Sequence, residues 1–354
     1  MDKFTIFRVV SGFLMAGILS FLLSPVAKFV AHKIGAIDIP KDERRMHKEP
    51  IPRLGGLAVF LAFLATVLVL VPVDMELRGI LLGSVIIVVL GMIDDARPLP
   101  ALLKFVVQIL AAIVVVLHGT RIDVVSNLNL LSATSYLNLG FWSAPITVLW
   151  IVAVTNAVNL IDGIDGLSVG VCTISSIALL VIAAIVSEFN VMVITAAVAG
   201  ACIGFLPYNI NPAKMFVGDT GATFLGFILS TLSIQGMFKT YAILSLAIPF
   251  LILGLPIFDT VFAICRRLLK GKNPMSPDRG HVHHRLVDMG FSQKQTVFIL
   301  YIVSAVLGAA AILLASQGAA RALLFVVAVV VVAVIVINIY RAISSFKKKK
   351  DEDK

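Results

Sequence analysis

Residues 156–167 read N-A-V-N-L-I-D-G-I-D-G-L, with Asn156, Asn159, Asp162 and Asp165 at every third position. The stretch lies between two apolar runs, 144–154 and 168–186. A helix that holds through Ile161 projects the first three of these side chains to nearly one side of its end. Gly163 and Gly166 then let the backbone turn and approach a ligand. Amides and carboxylates gathered in this way suit a hard cation and the groups around it. Turns favour the same residue types, but capping a helix end does not require four polar side chains at regular spacing.

Other polar residues also mark the ends of apolar runs. Asp94 and Asp95 close G-M-I-D-D. Neighbours on a helix point about 100° apart, so the two carboxylates are predicted to serve different partners. Acids at a helix C-terminus oppose the macrodipole, which calls for a cation, a basic partner or water beside them. Lys104 and Gln108 follow on the next run at i and i+4. Lys104 can neutralise a phosphate or simply snorkel to the interface. In F-V-G-D-T-G at 216–221, Asp219 is expected to be a helix N-cap with free N–H groups behind it, a setting that suits an anion. A carboxylate beside an anion site makes sense with a divalent metal between them.

His281, His283 and His284 share a short segment with Arg279 and Arg285. Without Cys or H-x₃₋₅-H spacing this is not a zinc site. Imidazoles and guanidiniums together suit a diphosphate; the alternative is a basic loop lying on lipid. Arg44, Arg45, His47 and Lys48 add cations ahead of Pro52-Arg53-Leu54-Gly55-Gly56. The Gly pair there permits close backbone approach or helix packing.

The elements that must position these groups are membrane helices. Of 354 residues, 59% are hydrophobic and 14% charged, against about 25% charged in soluble domains. Eleven apolar runs can serve as spans of about 20 residues: 4–30, 55–73, 79–93, 101–118, 144–161, 167–187, 191–208, 220–237, 241–265, 296–316 and 320–340. The first is too long for a signal-peptide core and is read as a retained span. Pro249 and Pro256 are expected to bend the ninth.

One side of this arrangement holds 23 of the 29 Lys and Arg residues. The positive-inside rule makes that side cytoplasmic. The fold class is therefore an all-α polytopic membrane protein of about eleven transmembrane helices, N-terminus outside and C-terminus cytoplasmic. Residues 1–340 form a single transmembrane catalytic domain, with cytoplasmic loops 31–54, 94–100, 162–166, 209–219 and 266–295. Residues 341–354 form a basic cytoplasmic tail, whose 347–350 lysines are held at the anionic leaflet. The carboxylate, amide and histidine motifs, which carry no weight in the Lys and Arg count, also fall on the cytoplasmic face.

The net charge of +9 thus reports orientation, and nucleic acid is not an expected partner. Cys172, Cys202 and Cys265 lie in apolar runs and are expected to be small buried side chains. On the outer side, 119–143 carries Asn127, Asn129 and Asn138 and is expected to form a small hairpin or lid.

Carboxylates for Mg²⁺, cations for phosphates and access to acyl chains point to phosphoryl transfer between a soluble phosphate compound and a lipid. A transporter of an anionic metabolite would place its site near the bilayer midplane, whereas these residues lie at helix ends. A lipid-binding scaffold gives no reason for carboxylates next to a bilayer.

The motifs resemble the polyprenyl-phosphate N-acetylhexosamine-1-phosphate transferase superfamily, glycosyltransferase family 4. The likeness rests on P-R-L-G-G at 52–56, G-M-I-D-D at 91–95, residues 156–167, F-V-G-D-T-G at 216–221, P-I-F-D-T at 256–260 and H-V-H-H-R-L at 281–286. It implies a multi-pass bacterial plasma-membrane enzyme taking UDP-N-acetylglucosamine and undecaprenyl phosphate. The products are undecaprenyl-diphospho-N-acetylglucosamine and UMP, and the cofactor is Mg²⁺ or Mn²⁺.

The H-x-H-H-R form resembles the branch that uses UDP-N-acetylglucosamine, within it most the enzymes starting teichoic-acid linkage units. It departs from the three consecutive histidines of the phospho-N-acetylmuramoyl-pentapeptide transferases. The resemblance implies Asp219 as a metal ligand with Asn159 as a second, and Asp94 and Asp95 positioning or deprotonating the lipid phosphate. Asn156, Asp162 and Asp165 are implied to line the nucleotide pocket or support it. Lys104, His281, His283, His284 and Arg285 are implied to neutralise the diphosphate or hold the nucleotide. Members of the family often form homodimers.

Overall fold

In lipid, backbone N–H and C=O groups must find partners within the chain, so apolar runs of this length fold as helices. The computed structural model describes residues 3–40, 49–126, 136–237, 247–269, 271, 280–327 and 330. Arg44, Arg45, His47, Lys48, Asn127, Asn129, Arg279 and the tail 341–354 lie outside the described residues.

In chain order the helices are α1 (Lys3–Ile34), α2 (Gly55–Leu70), α3 (Met75–Ala96), α4 (Ala101–Leu117), α5 (Ser143–Ile161), α6 (Leu167–Ile185), α7 (Phe189–Asn209), α8 (Gly218–Met237), α9 (Ala247–Ile252), α10 (Gly254–Leu269), α11 (Val282–Asp288) and α12 (Gln293–Gln317), with residues 319–327 again helical. Two antiparallel ribbons join them: β1 (Ile37–Asp38) with β2 (Ile51–Pro52), and β3 (Val124–Ser126) with β4 (Tyr136–Asn138). The second ribbon is the expected hairpin in 119–143.

Six helical segments among the described residues are long and apolar enough to cross a membrane: Lys3–Ile34, Met75–Ala96, Gly140–Ile161, Leu167–Ile185, Phe189–Asn209 and Gln293–Gln317. Gly55–Leu70 and Ala101–Leu117 are shorter apolar helices. The protein is a helical polytopic membrane protein. Helix ends shift by a few residues from the sequence reading, and two differences have a visible cause. The run 79–93 belongs to a longer helix, because Asp74 caps it early by accepting the Leu77 N–H at 2.8 Å. The run 241–265 is not one bent helix over its described part: it is broken at Leu253 into α9 and α10, beside the two prolines that remove backbone donors.

Helix α8 is the axis of the bundle. It is buried on every side from Thr220 to Gln235, as expected of a helix apolar around its whole circumference, and α2, α3, α5, α6 and α7 pack around it. Close approach is made possible by glycine. A Cβ on Gly56 of α2 would fall on the backbone of Gly221 of α8, so the pair is helix packing, one of the two readings open from sequence. Trp150 of α5 donates to the Ser230 carbonyl and the Ser233 hydroxyl of α8 at 3.3 and 3.2 Å.

Several hydroxyls buried within the helices turn back to carbonyls one turn earlier, as in Thr155 to Ile151 and Ser176 to Cys172, which satisfies them without water. Cys172 and Cys202 are buried as expected, but Cys265 is exposed. It lies on the outer face of α10 with Phe258, Phe262 and Leu269, a face suited to lipid.

Candidate active site

At one end of the bundle the motifs at 52–56, 94–95 and 216–221 form a single structure. Residue Phe216 donates its N–H to Pro52 O at 2.8 Å, and Gly55 and Gly56 donate theirs to Phe216 O and Val217 O at 2.9 and 2.8 Å. Gly218 has φ +71°, and a Cβ there would strike Arg53 O and the Asp95 carboxylate. Only glycine fits a left-handed turn at such close quarters.

Helix α8 begins at Gly218, which corrects the expected cap: Asp219 lies in its first turn, and the capping carboxylate is Asp95 of α3. Asp95 accepts the Asp219 N–H at 2.9 Å, the Thr220 N–H at 3.0 Å and the Thr220 hydroxyl at 2.7 Å. Its side chain is 0% exposed. The positive end of α8 thus offsets a charge that α3 alone would disfavour.

Asp94, about 100° round the helix, faces elsewhere. It accepts the Leu99 N–H at 2.7 Å and the Lys104 ammonium at 2.8 Å. Lys104 also reaches Asp219 Oδ2 at 3.1 Å. Arg53 Nη2 lies 3.5 Å from Asp95 Oδ1 and 3.5 Å from Asp219 Oδ1. Among the described residues, three carboxylates therefore face two cations, a formal excess of one negative charge. Side-chain exposure separates them: Arg53 is 32%, Lys104 28% and Asp219 19% exposed, against 7% for Asp94. The open rim consists of Asp219 and the two cations.

Carboxylate oxygens of Asp94 and Asp219 converge on one cationic group, the Lys104 ammonium. Among the described residues no three His, Cys, Asp or Glu side chains form a metal cage. Magnesium is typically held by one or two carboxylates together with substrate phosphates, so the donor set and its residual charge fit that ion.

The α5–α6 loop makes no hydrogen bond or ion pair to this cluster among the described residues. Helix α5 holds through Ile161, the condition under which Asn156, Asn159 and Asp162 share one side of its end. Asn159, half-buried, makes no side-chain hydrogen bond among the described residues. Asp162 accepts from the Ser168 hydroxyl at 2.5 Å. Burial pushes its carboxyl up to about 7; the Ser168 bond opposes this, and the charges of Asp219 and Arg53 also act on it. Asp162 therefore lies within electrostatic reach of the carboxylate cluster.

The outer two of the four polar residues are structural ties. Asn156 donates to Gln108 Oε1 at 2.6 Å and to Val152 O at 2.8 Å, joining α5 to α4. Asp165 accepts from Asn211 Nδ2 at 2.9 Å and the Ala213 N–H at 3.0 Å, fixing the loop to the end of α7. Tyr301 of α12 donates to Gly166 O at 2.6 Å.

Helix α11 carries the histidines onto this loop. Asp259 of α10 takes His281 Nδ1 at 2.8 Å and the Val282 N–H at 2.9 Å. The His281 and His283 rings stack at 5.7 Å between centroids, and His284 is tilted against His283 at 4.3 Å. His283 turns inward, its Nε2 buried without a hydrogen-bond partner among the described residues, to the place where a Gly163 Cβ would be. Burial, then the neighbouring His284, pull its pKa down to about 4. His283 thus meets the α5–α6 loop as a buried ring whose charged form is disfavoured. Arg285 is exposed and makes no side-chain hydrogen bond or ion pair among the described residues.

Sequence reasoning did not assign roles to Arg53 and Asp259. Each lay in a quoted motif, but a single charged residue gave no sign of its partner.

A glycosyl transferase family 4 profile matches residues 77–237. The chain is 40% identical to a probable undecaprenyl-phosphate N-acetylglucosaminyl 1-phosphate transferase of Bacillus subtilis, over 86% of this chain and 84% of that one. It is 32% identical to a decaprenyl-phosphate N-acetylglucosaminephosphotransferase of Mycobacterium tuberculosis, over 84% and 80%. It is 30% identical to a phospho-N-acetylmuramoyl-pentapeptide-transferase of Clostridium beijerinckii, over 85% and 94%. The profile covers α3 to α8, the helices that carry the carboxylate cluster and the α5–α6 loop, and the relatives extend the likeness over most of the chain: the protein belongs to glycosyl transferase family 4.

Proposed function

We propose that this protein transfers N-acetylglucosamine 1-phosphate from UDP-N-acetylglucosamine to undecaprenyl phosphate, releasing UMP, as the first step of a cell-wall glycopolymer such as teichoic acid. The observation that carries the reading is the shared contact of Asp94 and Asp219 with Lys104, rimmed by Arg53, at the end of a lipid-facing bundle. Identity supports this donor over the muramoyl-pentapeptide one, at 40% against 30%. The site belongs on the cytoplasmic face of an eleven-span single domain, residues 1–340, with the N-terminus outside. Cysteine accessibility at the two ends of the bundle tests that orientation. A homodimer is part of the reading, and light scattering in detergent tests it.

In the reaction, an oxygen of the lipid phosphate attacks the phosphorus attached to the sugar, and the bond from that phosphorus to UMP breaks. The second pKa of a phosphate monoester is about 6, so the acceptor is already largely a dianion and needs no strong base. Direct attack is therefore preferred to an aspartyl-phosphate intermediate. Lys104 and Arg53 hold the phosphates and neutralise charge. Asp219, with Asn159 and Asp94, would hold Mg²⁺, which when bound supplies further neutralisation to the diphosphate. Asp95 fixes Asp219 by anchoring the start of α8. Asp162 supports the pocket edge, with His281, His284 and Arg285 toward the nucleotide.

The test is label transfer by purified protein with undecaprenyl phosphate, Mg²⁺ and either UDP-N-acetylglucosamine or UDP-N-acetylmuramoyl-pentapeptide. EDTA-sensitive transfer from the first donor alone supports the reading. Transfer from the second alone moves the protein to the sister reaction. Phospho-sugar trapped on the protein without lipid overturns direct attack.

A further inference from the structure

The Asp259 carboxylate lies on α10, outside the cluster that holds Asp219, and is 5% exposed. Its two oxygens do separate jobs. Oδ2 meets His281 Nδ1 at 2.8 Å, and Oδ1 accepts the Val282 N–H at 2.9 Å. The second contact fixes the start of α11, whose own N-cap residue, His281, supplies no side-chain cap. The first contact fixes the ring. An ionised carboxylate only accepts, so the proton of a neutral imidazole resides on Nδ1 and Nε2 carries the lone pair. The stack then transmits the position: His281 lies parallel to His283, at 9° between planes, and His283 abuts Gly163 between Asp162 and Asp165.

We infer that Asp259 is a positioning residue for donor-substrate recognition: it fixes the His281 ring by its Nδ1 and the seat of α11, so that His281 Nε2 is left to hydrogen-bond the nucleotide-sugar. This inference rests on the proposed reaction. It adds to that reading a residue with no contact to the carboxylate cluster among the described hydrogen bonds and ion pairs. Carboxylate–imidazole support of this kind orients the ring without itself touching the reacting atoms.

The variant Asp259→Asn keeps an oxygen for the Val282 N–H but loses the second acceptor, so that its amide N–H faces Nδ1 and favours the other tautomer. Steady-state kinetics are measured for wild type, Asp259→Asn, His281→Gln and the double variant, against both substrates, with melting temperatures for each. Asp259→Asn is expected to raise KM for UDP-N-acetylglucosamine about 10–100-fold, by analogy with the loss of a carboxylate that orients a metal-ligating histidine. KM for undecaprenyl phosphate and the melting temperature stay near wild type, and adding Asp259→Asn to His281→Gln costs little more. Asp259→Asn kinetics like wild type overturn the inference. So does equal loss toward both substrates with a lowered melting temperature, which would make the residue only structural. Failure of wild type to transfer from this donor would instead count against the reaction itself.

Discussion

The Asp219 amide donates to the Asp95 carboxylate at 2.9 Å, joining the first turn of α8 to the last turn of α3. The residue proposed to hold a metal is thus oriented by one 124 positions earlier. Adjacent Asp94 shares a lysine with the same Asp219. The acidic pair therefore divides its labour, one member anchoring the backbone and the other facing the side-chain cluster.

That division is measurable. Asp95→Ala leaves the donors of Asp219 and Thr220 without their acceptor and is expected to destabilise the protein by about 1–3 kcal/mol, with activity falling alongside. Asp94→Asn retains the Leu99 bond and is expected to lose activity with little change in melting temperature. Thermal unfolding in detergent, set beside label transfer, separates the two. Equal melting temperatures for both variants would remove the anchoring role of Asp95.

Asp219→Asn tests the metal assignment. Since Asp95, not Asp219, caps α8, the substitution leaves the helix start intact. Activity is expected to fall by about 100-fold or more, the scale of losing one main electrostatic stabiliser, with the fold preserved. EDTA is expected to abolish wild-type activity and Mg²⁺ to restore it. Near-normal activity of Asp219→Asn at low Mg²⁺ would contradict the assignment.

Gly163→Ala puts a methyl group where His283 now sits. Overpacking of this sort costs about 1–3 kcal/mol, and here the softer side of the contact is helix α11. The expected result is faster proteolysis near 280–290 and weaker donor binding, with the α3–α8 core unaffected. Unchanged proteolysis and donor affinity would show that the histidine helix does not depend on this seat.

Two desolvated groups give pH effects of opposite sign. Native His283 titrates at about 4 against an ordinary 6.5. Between those values the unfolded chain binds more protons, so its contribution is complete above 6.5 and is lost as pH falls through 4. Asp162 titrates at about 7 against 3.8. Its contribution is complete below 3.8 and is lost as pH rises through 7. Relative to wild type, His283→Gln is therefore expected to gain melting temperature at about pH 5 compared with about pH 8, and Asp162→Asn to gain in the reverse direction. Differences of the opposite sign would contradict the burial of these groups.

By itself the sequence determined the setting and the chemical vocabulary. Long apolar runs leave the backbone no solution in lipid but helices, and hydropathy is read residue by residue. The end of α5 at Ile161, the differing partners of Asp94 and Asp95 and the hairpin after α4 were legible for the same reason, since each follows from local spacing.

What tertiary structure alone decided is which polar group meets which. The Asp95 cap on α8, the Lys104 bridge from Asp94 to Asp219, the inward turn of His283 and the hold of Asp259 on His281 all join distant segments. Spacing also grouped Asn156 and Asp165 with Asn159 and Asp162, but the outer two are taken up by Gln108 and by Asn211 and Ala213. A carboxylate's role depends on the donors that reach it, and those donors arrive on other helices, through packing that no local pattern encodes.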